Sequence, residues 1–244
     1  MYLRVMSFVL KLIEEGEHIT QDFKLRVDDS IKIAKTLSAF ANTEGGRILI
    51  GVRDSGVVAG CNVEEECHMI QAASQMYCKP SVNFEIQVWK VDYKSVLEVT
   101  ISKSNARPHF VEDNDGAWQA YLRRGDKVNK ASPVMVKVWQ YEMRLDRSEF
   151  RYDHYVCKLF SAWRDGTTLR FVQVSRMANM DFEETESLLA LLLFWGIIKT
   201  RFSIHGSKRG YVYELRDAGA LEKLESEGSE VFRYTKHNVS NFSY

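Results

Sequence analysis

The chain has 244 residues, a hydrophobic fraction of 45%, and 33 basic residues balanced by 33 acidic ones. This length predicts one large domain or two modest ones, and the apolar content excludes wholesale disorder. Because the net charge is zero, no global positive field attracts nucleic acid, so any such binding has to come from a local patch.

Two further features narrow the class of protein. The longest apolar run, 188–195, is far too short to span a bilayer, and the first residues lack the apolar stretch of a secretory signal. The four cysteines are spaced irregularly and do not form the disulfide framework of a secreted protein. The sequence therefore predicts a cytoplasmic protein without a membrane partner.

Periodicity in the first 148 residues predicts a mixture of helices and strands, and hence an α+β domain. In the first predicted strand, Phe23 faces inward, while Asp22, Lys24 and Arg26 form a charged outer face. The predicted elements are a helix over 3–15, a strand over 20–27, a helix over 30–41, a strand over 47–52, a helix over 63–77, hairpins over 82–102 and 108–123, and a helix over 133–147.

The remaining third changes character. Helical patterns at 150–163, 171–178 and 182–195 precede a hairpin over 197–215, which is the element order of a winged helix. The sequence therefore predicts three parts: an α/β domain over 1–148, a winged-helix domain over 149–216, and a polar tail over 217–244.

Three blocks of the first domain carry a recognisable pattern. Gly16-Glu-His-Ile-Thr-Gln-Asp-Phe-Lys24 is followed by Ala39-Phe-Ala-Asn-Thr-Glu-Gly-Gly46 and then by Ile48-Leu-Ile-Gly-Val-Arg-Asp54. This order resembles the Schlafen AlbA-like domain family, and weaker matches at 104–110 and 121–126 extend the resemblance over roughly 5–148. It implies a mixed-sheet AlbA-like domain followed by a small winged helix.

The resemblance also implies functions. Bacterial members often carry a C-terminal winged helix and are described as transcriptional regulators or ATP-binding proteins, and some Schlafen members are metal-dependent ribonucleases that act on structured RNA. Glu17, Asp22 and Asp54 match the acidic positions that hold metal in those ribonucleases, with Asp in place of Glu at position 22. The implied metal is Mg²⁺ or Mn²⁺.

Elementary chemistry leaves the carboxylates open to two interpretations. Three carboxylates at the edges of neighbouring elements can hold a hard cation that activates water and neutralises a phosphate. Alternatively, Asp54 makes only a local turn with Gly56, and Glu17 and Asp22 are solvated. We therefore treat catalytic and metal-binding roles for Glu17, Asp22 and Asp54 as a hypothesis.

The glycines Gly45, Gly46 and Gly51 do not predict a nucleotide loop. Phosphate loops precede a helix, so that its positive end faces the anion, whereas these glycines follow a helix and open a strand. The chain also lacks a Gly-Lys-Ser/Thr sequence. We therefore interpret the glycine pair as a helix stop with close backbone packing, and we do not expect ATP to bind.

Two groups of cations are candidates for binding phosphates without reading sequence. The alternative for each is a solvated face, and for the winged helix a protein-docking role. The predicted recognition helix opens with Asp181, Glu183, Glu184 and Glu186, which repel phosphates, so its hairpin is the more suitable surface. The candidate cations are Lys24, Arg26, Arg123, Arg124 and Lys127 in the first domain, and Lys199, Arg201, Lys208 and Arg209 on the hairpin.

These observations give three functional hypotheses. The first is a nucleic-acid-binding transcriptional regulator with DNA or structured RNA as its partner. The alternative is a divalent-metal-dependent ribonuclease, and a weaker one is an ATP-binding regulatory protein. Because eukaryotic Schlafen cores enclose RNA between two related lobes and this chain carries the 40–54 signature once, we also expect a homodimer.

Overall fold

The computed structural model describes residues 2–143, 149–205, 208–226 and 231–233. The chain forms two compact units, residues 1–131 and 132–244. Both contain helices and strands, so the protein has the predicted α+β fold. No helix in the described ranges is both long and apolar enough to cross a membrane.

Unit 1 contains two four-stranded sheets. The first has the strand order β1-β2-β5-β4, with β1 parallel to β2 and the other pairs antiparallel; the second is antiparallel, with the order β3-β6-β7-β8. The elements are α1 (Tyr2–Glu15), β1 (Gln21–Lys24), α2 (Ser30–Asn42), β2 (Gly46–Ile50), α3 (Val63–Tyr77), β3 (Cys78–Lys79), β4 (Glu85–Val91), β5 (Lys94–Ile101), β6 (Phe110–Glu112), β7 (Trp118–Arg124) and β8 (Lys127–Lys130).

Helix α2 is the centre of this unit. It begins where the Asp29 side chain accepts the backbone N–H of Lys32, a normal N-cap arrangement. Its apolar residues Leu37 and Phe40 are fully buried in the main core, together with Ile48 of β2 and Leu97 of β5. The end of α2 is therefore held between both sheets, which makes it a rigid position for the side chains that follow.

Strand β1 is shorter than the sequence predicts. One residue of the predicted charged outer face, Asp22, is buried and does not face solvent. Phe23 is buried in a smaller core beside α1, as expected. Asp22 is also buried, at 4% exposure, whereas Leu25 is exposed. The alternation fails because the strand ends at Lys24 and because Asp22 has an internal partner, described below.

Unit 2 contains a three-stranded antiparallel sheet with the order β10-β12-β11 and a two-stranded pair, β9 with β13. Its elements are α4 (Pro133–Met143), β9 (Glu149–Arg151), α5 (His154–Arg164), β10 (Leu169–Arg170), α6 (Phe171–Ala178), α7 (Phe182–Phe194), β11 (Ile198–His205), β12 (Lys208–Leu215), α8 (Ala218–Ser226) and β13 (Val231–Arg233).

The boundary between the compact units lies after Ala131, earlier than the predicted boundary at 148. The difference is helix α4, whose Val134 and Val138 belong to the core of unit 2. The predicted end of this helix falls partly on residues 144–148, which lie outside the described residues. Within the predicted polar tail, 217–244, Leu221 of α8 is fully buried in the same core.

The order of α5, β10, α6, α7 and the β11–β12 hairpin is that expected of a winged helix. The winged-helix assignment itself stays a prediction. Helix α7, which would be the recognition helix, contains five consecutive residues, 188–192, that are each at most 1% exposed. A helix with a buried run of this length is enclosed on every side along that run.

Candidate nucleic-acid interface

The structure uses the three predicted metal ligands in different ways. Glu17 is half-buried, and its Oε1 accepts the backbone N–H of Phe23 at 2.9 Å. Asp54 is exposed in a turn that is closed by the hydrogen bond from Arg53 N to the carbonyl oxygen of Val57. In the part of the chain that the structure describes, no three His, Cys, Asp or Glu side chains form a group that could hold a metal ion.

Asp22 is instead neutralised by two cations. Its Oδ1 lies 3.1 Å from a terminal nitrogen of Arg123, and its Oδ2 lies 2.5 Å from Nζ of Lys24. The second contact is an ion pair without regular hydrogen-bond geometry, since Oδ2 accepts no hydrogen bond from the described residues. A carboxylate compensated in this way no longer supplies the free negative charge that attracts a divalent cation.

Arg123 is an internal anchor, which corrects its predicted role as a surface contact for phosphate. Its side chain is 1% exposed, and the guanidinium lies over the Phe40 ring at 4.7 Å. Besides Asp22, the guanidinium donates to the carbonyl oxygens of His18, Ile19 and Gln21. These bonds occupy four of its five N–H donors and attach β7 to β1 and to the loop that precedes it.

The Phe-Ala-Asn-Thr block, which carries much of the family resemblance, has a structural role that the sequence did not reveal. Asn42 accepts the backbone N–H of His109 at 2.8 Å and donates to the carbonyl oxygens of His109 and Tyr121, each at 3.0 Å. Next to it, the Thr43 hydroxyl accepts the backbone N–H of Arg123. The end of α2 is thereby attached to β7 and to the segment before β6.

His109 extends this buried network. Its Nδ1 lies 2.7 Å from the carbonyl oxygen of Pro80, and its Nε2 lies 2.7 Å from the Ser104 hydroxyl. Since a carbonyl only accepts, Nδ1 carries the proton and Nε2 accepts from Ser104. Burial lowers the pKa of His109 below its usual value, and the bond to Pro80 opposes this only in part. The histidine is a neutral linker at neutral pH.

The glycine pair allows two close backbone approaches. Gly45 has a positive φ of 73°, and a Cβ there would lie 2.7 Å from the carbonyl oxygen of Ile101. A Cβ on Gly46 would lie 2.5 Å from the carbonyl oxygen of Thr20. Gly45 also donates its N–H to Phe40 at the end of α2. This geometry agrees with the interpretation of the pair as a helix stop with close packing.

Of the five predicted cations in unit 1, Arg123 is buried, and three of the four with exposed or half-exposed side chains lie on β1 or in the β7–β8 hairpin. Lys24 is half-exposed beside Asp22, and Arg124 and Lys127 are exposed cross-strand neighbours in the β7–β8 hairpin. Strand alternation places Arg124 on the side of β7 opposite to Arg123. We call Lys24, Arg124 and Lys127 the basic edge.

Arg26 does not belong to the basic edge, because it lies near the acidic start of α3. Burial raises the pKa of Glu66, and the N–H of Val27 together with the charge of Arg26 opposes this rise. Arg26 is exposed, and its charge interacts with the Glu66 carboxylate. Its predicted contact with nucleic acid stays a prediction.

The hairpin of unit 2 is less basic than its sequence suggests. Lys199 faces Glu214 across the strand pair, and both Lys199 and Arg201 lie 3.4 Å from the Glu214 carboxylate. Burial raises the pKa of Glu214, but the contacts with Arg201 and Lys199 outweigh it and hold the pKa below its usual value. The side chains of Lys208 and Arg209 lie outside the described residues.

The acidic start of α7 is confirmed as a helix N-terminus. Asp181 caps the helix by accepting the N–H of Glu184, and Glu184 accepts the N–H of Asp181 in return. Lys137 of α4 donates to Ser187 at 2.9 Å and lies 4.0 Å from Glu186. Helix α4 thus covers one side of α7, so this helix is not free to enter a major groove.

One comparison with known proteins covers most of unit 1. Residues 17–132 match the family model described as Schlafen, AlbA_2, and this segment of the chain is a domain of that type. Such a domain suggests a nucleic-acid-related function. The match ends at the boundary between the compact units, so unit 2 lies almost wholly outside it.

Among curated proteins, none matches the sequence. Among solved structures, the crystal structure of the DIP2311 protein from Corynebacterium diphtheriae is similar over 91% of this chain and 52% of that chain, with 16% sequence identity and a TM-score of 0.43. The chain thus spans about half the length of that protein.

Proposed function

We propose that unit 1 binds nucleic acid by its phosphate backbone at the basic edge, with little dependence on sequence. The observation that carries this proposal is the Lys24–Asp22–Arg123 cluster, in which the buried Arg123 and the half-exposed Lys24 compensate one buried carboxylate. The cluster keeps a net positive charge, and its Arg123 anchor holds β7, which carries Arg124, in a fixed position. Cations on a rigid scaffold give affinity for phosphates without reading bases.

A transcriptional regulator that binds nucleic acid with little dependence on base sequence is consistent with this proposal. Reading of bases by α7 has no support, since the helix is enclosed over 188–192 and carboxylates surround its start. The ribonuclease alternative lacks a gathered group of ligands in the described residues, and we keep it only as an arm of the experiment below.

Fluorescence anisotropy with labelled single-stranded RNA, a hairpin RNA and a DNA duplex tests the proposal at several salt concentrations. The variant combines Lys24→Gln, Arg124→Gln and Lys127→Gln. Each lost phosphate contact reduces the slope of log K against log salt by about 0.7 on single strands and about 0.9 on duplex. We therefore expect the variant's slope to be shallower by about 2 to 3, with affinity reduced alike for all sequences.

The matched control combines Lys11→Gln, Lys32→Gln and Lys90→Gln, which removes the same charge from exposed positions elsewhere in unit 1. Equal slopes for the two triple variants would contradict the proposal, because only the total charge would then matter. Incubation of each protein with hairpin RNA and Mn²⁺ shows whether the RNA is also cut. Cleavage that Asp22→Asn abolishes would favour the ribonuclease alternative.

A further inference from the structure

Unit 1 contains a cleft of about 790 Å³ that no predicted site residue lines. It lies among helix α3, segment 81–85, the end of β5 and loop 102–106. This volume is within the usual range of small-molecule sites, roughly 300–1,000 Å³. Its polar lining includes Gln71, Gln75, Asn83, Thr100, Ser102 and Asn105.

The chemistry of this lining favours a neutral ligand with several hydrogen-bonding groups. Four side-chain amides line the cleft, and each amide offers donors beside an acceptor. Within the described part of the chain these amides have no hydrogen-bond partners, and all four are exposed. Lys103 and Glu85 supply one charge of each sign, so the lining has no excess positive charge for a polyphosphate.

The walls of the cleft are fixed by internal bonds. The Ser74 hydroxyl donates to the carbonyl oxygen of Val82 at 2.7 Å and accepts its N–H at 3.0 Å, which attaches segment 81–85 to α3. Ser104 is held by His109 and by its N–H bond to Ala41. Phe84 also lines the cleft and packs on the main core, so the lining includes an aromatic side chain that is held from behind. The cleft is therefore formed before any ligand binds.

The cleft and the Arg123 anchor are both attached to the end of α2. Ala41 lines the cleft, while Thr43, two residues later, accepts the N–H of Arg123. Lys103, which lines the cleft, forms an ion pair with Glu44 at 3.3 Å, and Glu44 directly follows Thr43 in the chain. Helix α2 therefore connects the cleft to the Arg123 anchor within unit 1.

We propose that this cleft binds an unpaired nucleobase of a nucleic-acid strand. The proposal deepens the proposed function, since it names the part of the strand that enters unit 1. Amide side chains match the mixed donor and acceptor edges of bases, and an aromatic ring can stack on a base face. The near-neutral lining fits a base and its sugar, with the phosphates remaining at the basic edge.

Saturation-transfer NMR and calorimetry with the four ribonucleosides test this inference without any phosphate. We expect at least one nucleoside to bind with a Kd of about 0.1–1 mM. The double variant Gln75→Ala/Asn83→Ala should weaken that binding roughly tenfold or more, because two hydrogen-bonding amides are lost. The control Gln87→Ala removes an exposed amide of β4 that does not line the cleft, and it should change nothing.

Three outcomes would overturn the proposal. They are no saturable nucleoside binding at about 10 mM, equal binding by the double variant and the wild type, and equal binding of ribose or glucose, which would make the cleft a carbohydrate site. Nucleosides carry no phosphate, so this experiment is independent of the basic edge. Nucleoside binding without oligonucleotide binding would refute the proposed function and the claim that the base belongs to a strand, and it would leave the cleft as a site for free nucleosides.

Discussion

The two hairpins that carry the predicted phosphate-binding cations differ in what lies across each strand pair. In β7–β8, Arg124 faces Lys127, with Asp126 in the turn between them. In β11–β12, Glu214 faces Lys199 and lies equally close to Arg201. The number of cations along a strand therefore does not measure the charge of the surface, because an acidic cross-strand neighbour such as Glu214 offsets part of that charge.

The same comparison separates a buried ion pair from exposed ones. Arg123 and Asp22 are 1% and 6% exposed, whereas Lys199 and Arg201 are each 57% exposed beside Glu214. A buried charge that loses its partner keeps its desolvation cost, while an exposed one is solvated again. Substitutions in the two places should therefore differ in their effects on stability.

The largest expected effect is that of Arg123→Gln. We expect the free energy of unfolding to fall by about 3 kcal/mol, since Asp22 loses a buried partner while Lys24 still compensates its charge. Urea denaturation followed by circular dichroism measures this change. Glu214→Gln is the exposed counterpart and should cost at most about 1 kcal/mol. Equal losses for the two variants would remove the distinction between the buried and exposed pairs.

A smaller loss is expected for Asn42→Ala. The substitution leaves the N–H of His109 without its acceptor and removes the donor to two buried carbonyl oxygens. Buried unpaired groups of this kind cost about 2 kcal/mol in total, given partial relaxation. The same denaturation experiment applies, with Asn105→Ala as an exposed control. A stable Asn42→Ala protein would show that the network is replaceable.

The pH dependence of unfolding tests the buried histidine. Burial holds the pKa of His109 below its usual 6.5, so the folded state keeps it neutral while the unfolded state protonates near that value. Its contribution to stability is complete above pH 6.5 and is lost as the pH falls toward the folded pKa. We expect a slope of at most about 1.4 kcal/mol per pH unit from this group. In His109→Gln, stability between pH 7.5 and 5 should decline less steeply; an unchanged profile would exclude this histidine as the cause.

The smallest effect concerns the hairpin of unit 2. If it contacts phosphates, replacing Lys199, Arg201, Lys208 and Arg209 with Ala should flatten the salt slope, by up to about 3 to 4 if every cation is available. We expect a smaller change in slope than this, because Glu214 already pairs with Lys199 and Arg201. Glu214→Gln should then steepen the slope of log K against log salt by about 1. Glu183→Gln/Glu184→Gln should strengthen binding to nucleic acid or leave it unchanged. If nucleic-acid binding were weakened in the Glu183→Gln/Glu184→Gln variant and unchanged in the hairpin variant, α7 would be the helix that binds the major groove.

The assembly prediction also stays open to test. The expected homodimer rests on the single 40–54 signature, and light scattering at micromolar concentration measures the mass directly. A monomer under these conditions would mean that one copy of unit 1 acts alone. The basic edge and the cleft both lie within one chain, so their predictions do not depend on this result.

The sequence by itself determined the order of the elements and several of their ends, because these depend on neighbours along the chain. Helix α2 begins at Ser30 and stops before the glycine pair, and β4 and β5 form a hairpin within 82–102, as the local patterns predicted. The resemblance over the first domain was confirmed for residues 17–132 on the same basis.

Only the tertiary structure decided what the charged and polar side chains do. Asp22 meets Arg123 across 101 positions, Asn42 meets His109 across 67, and Glu214 meets Lys199 through strand register. Such pairings follow from how the elements pack, and no local pattern encodes them. Arg123 therefore looked like a surface cation and Asp22 like a carboxylate without a protein partner, because burial and partners are properties of the folded chain.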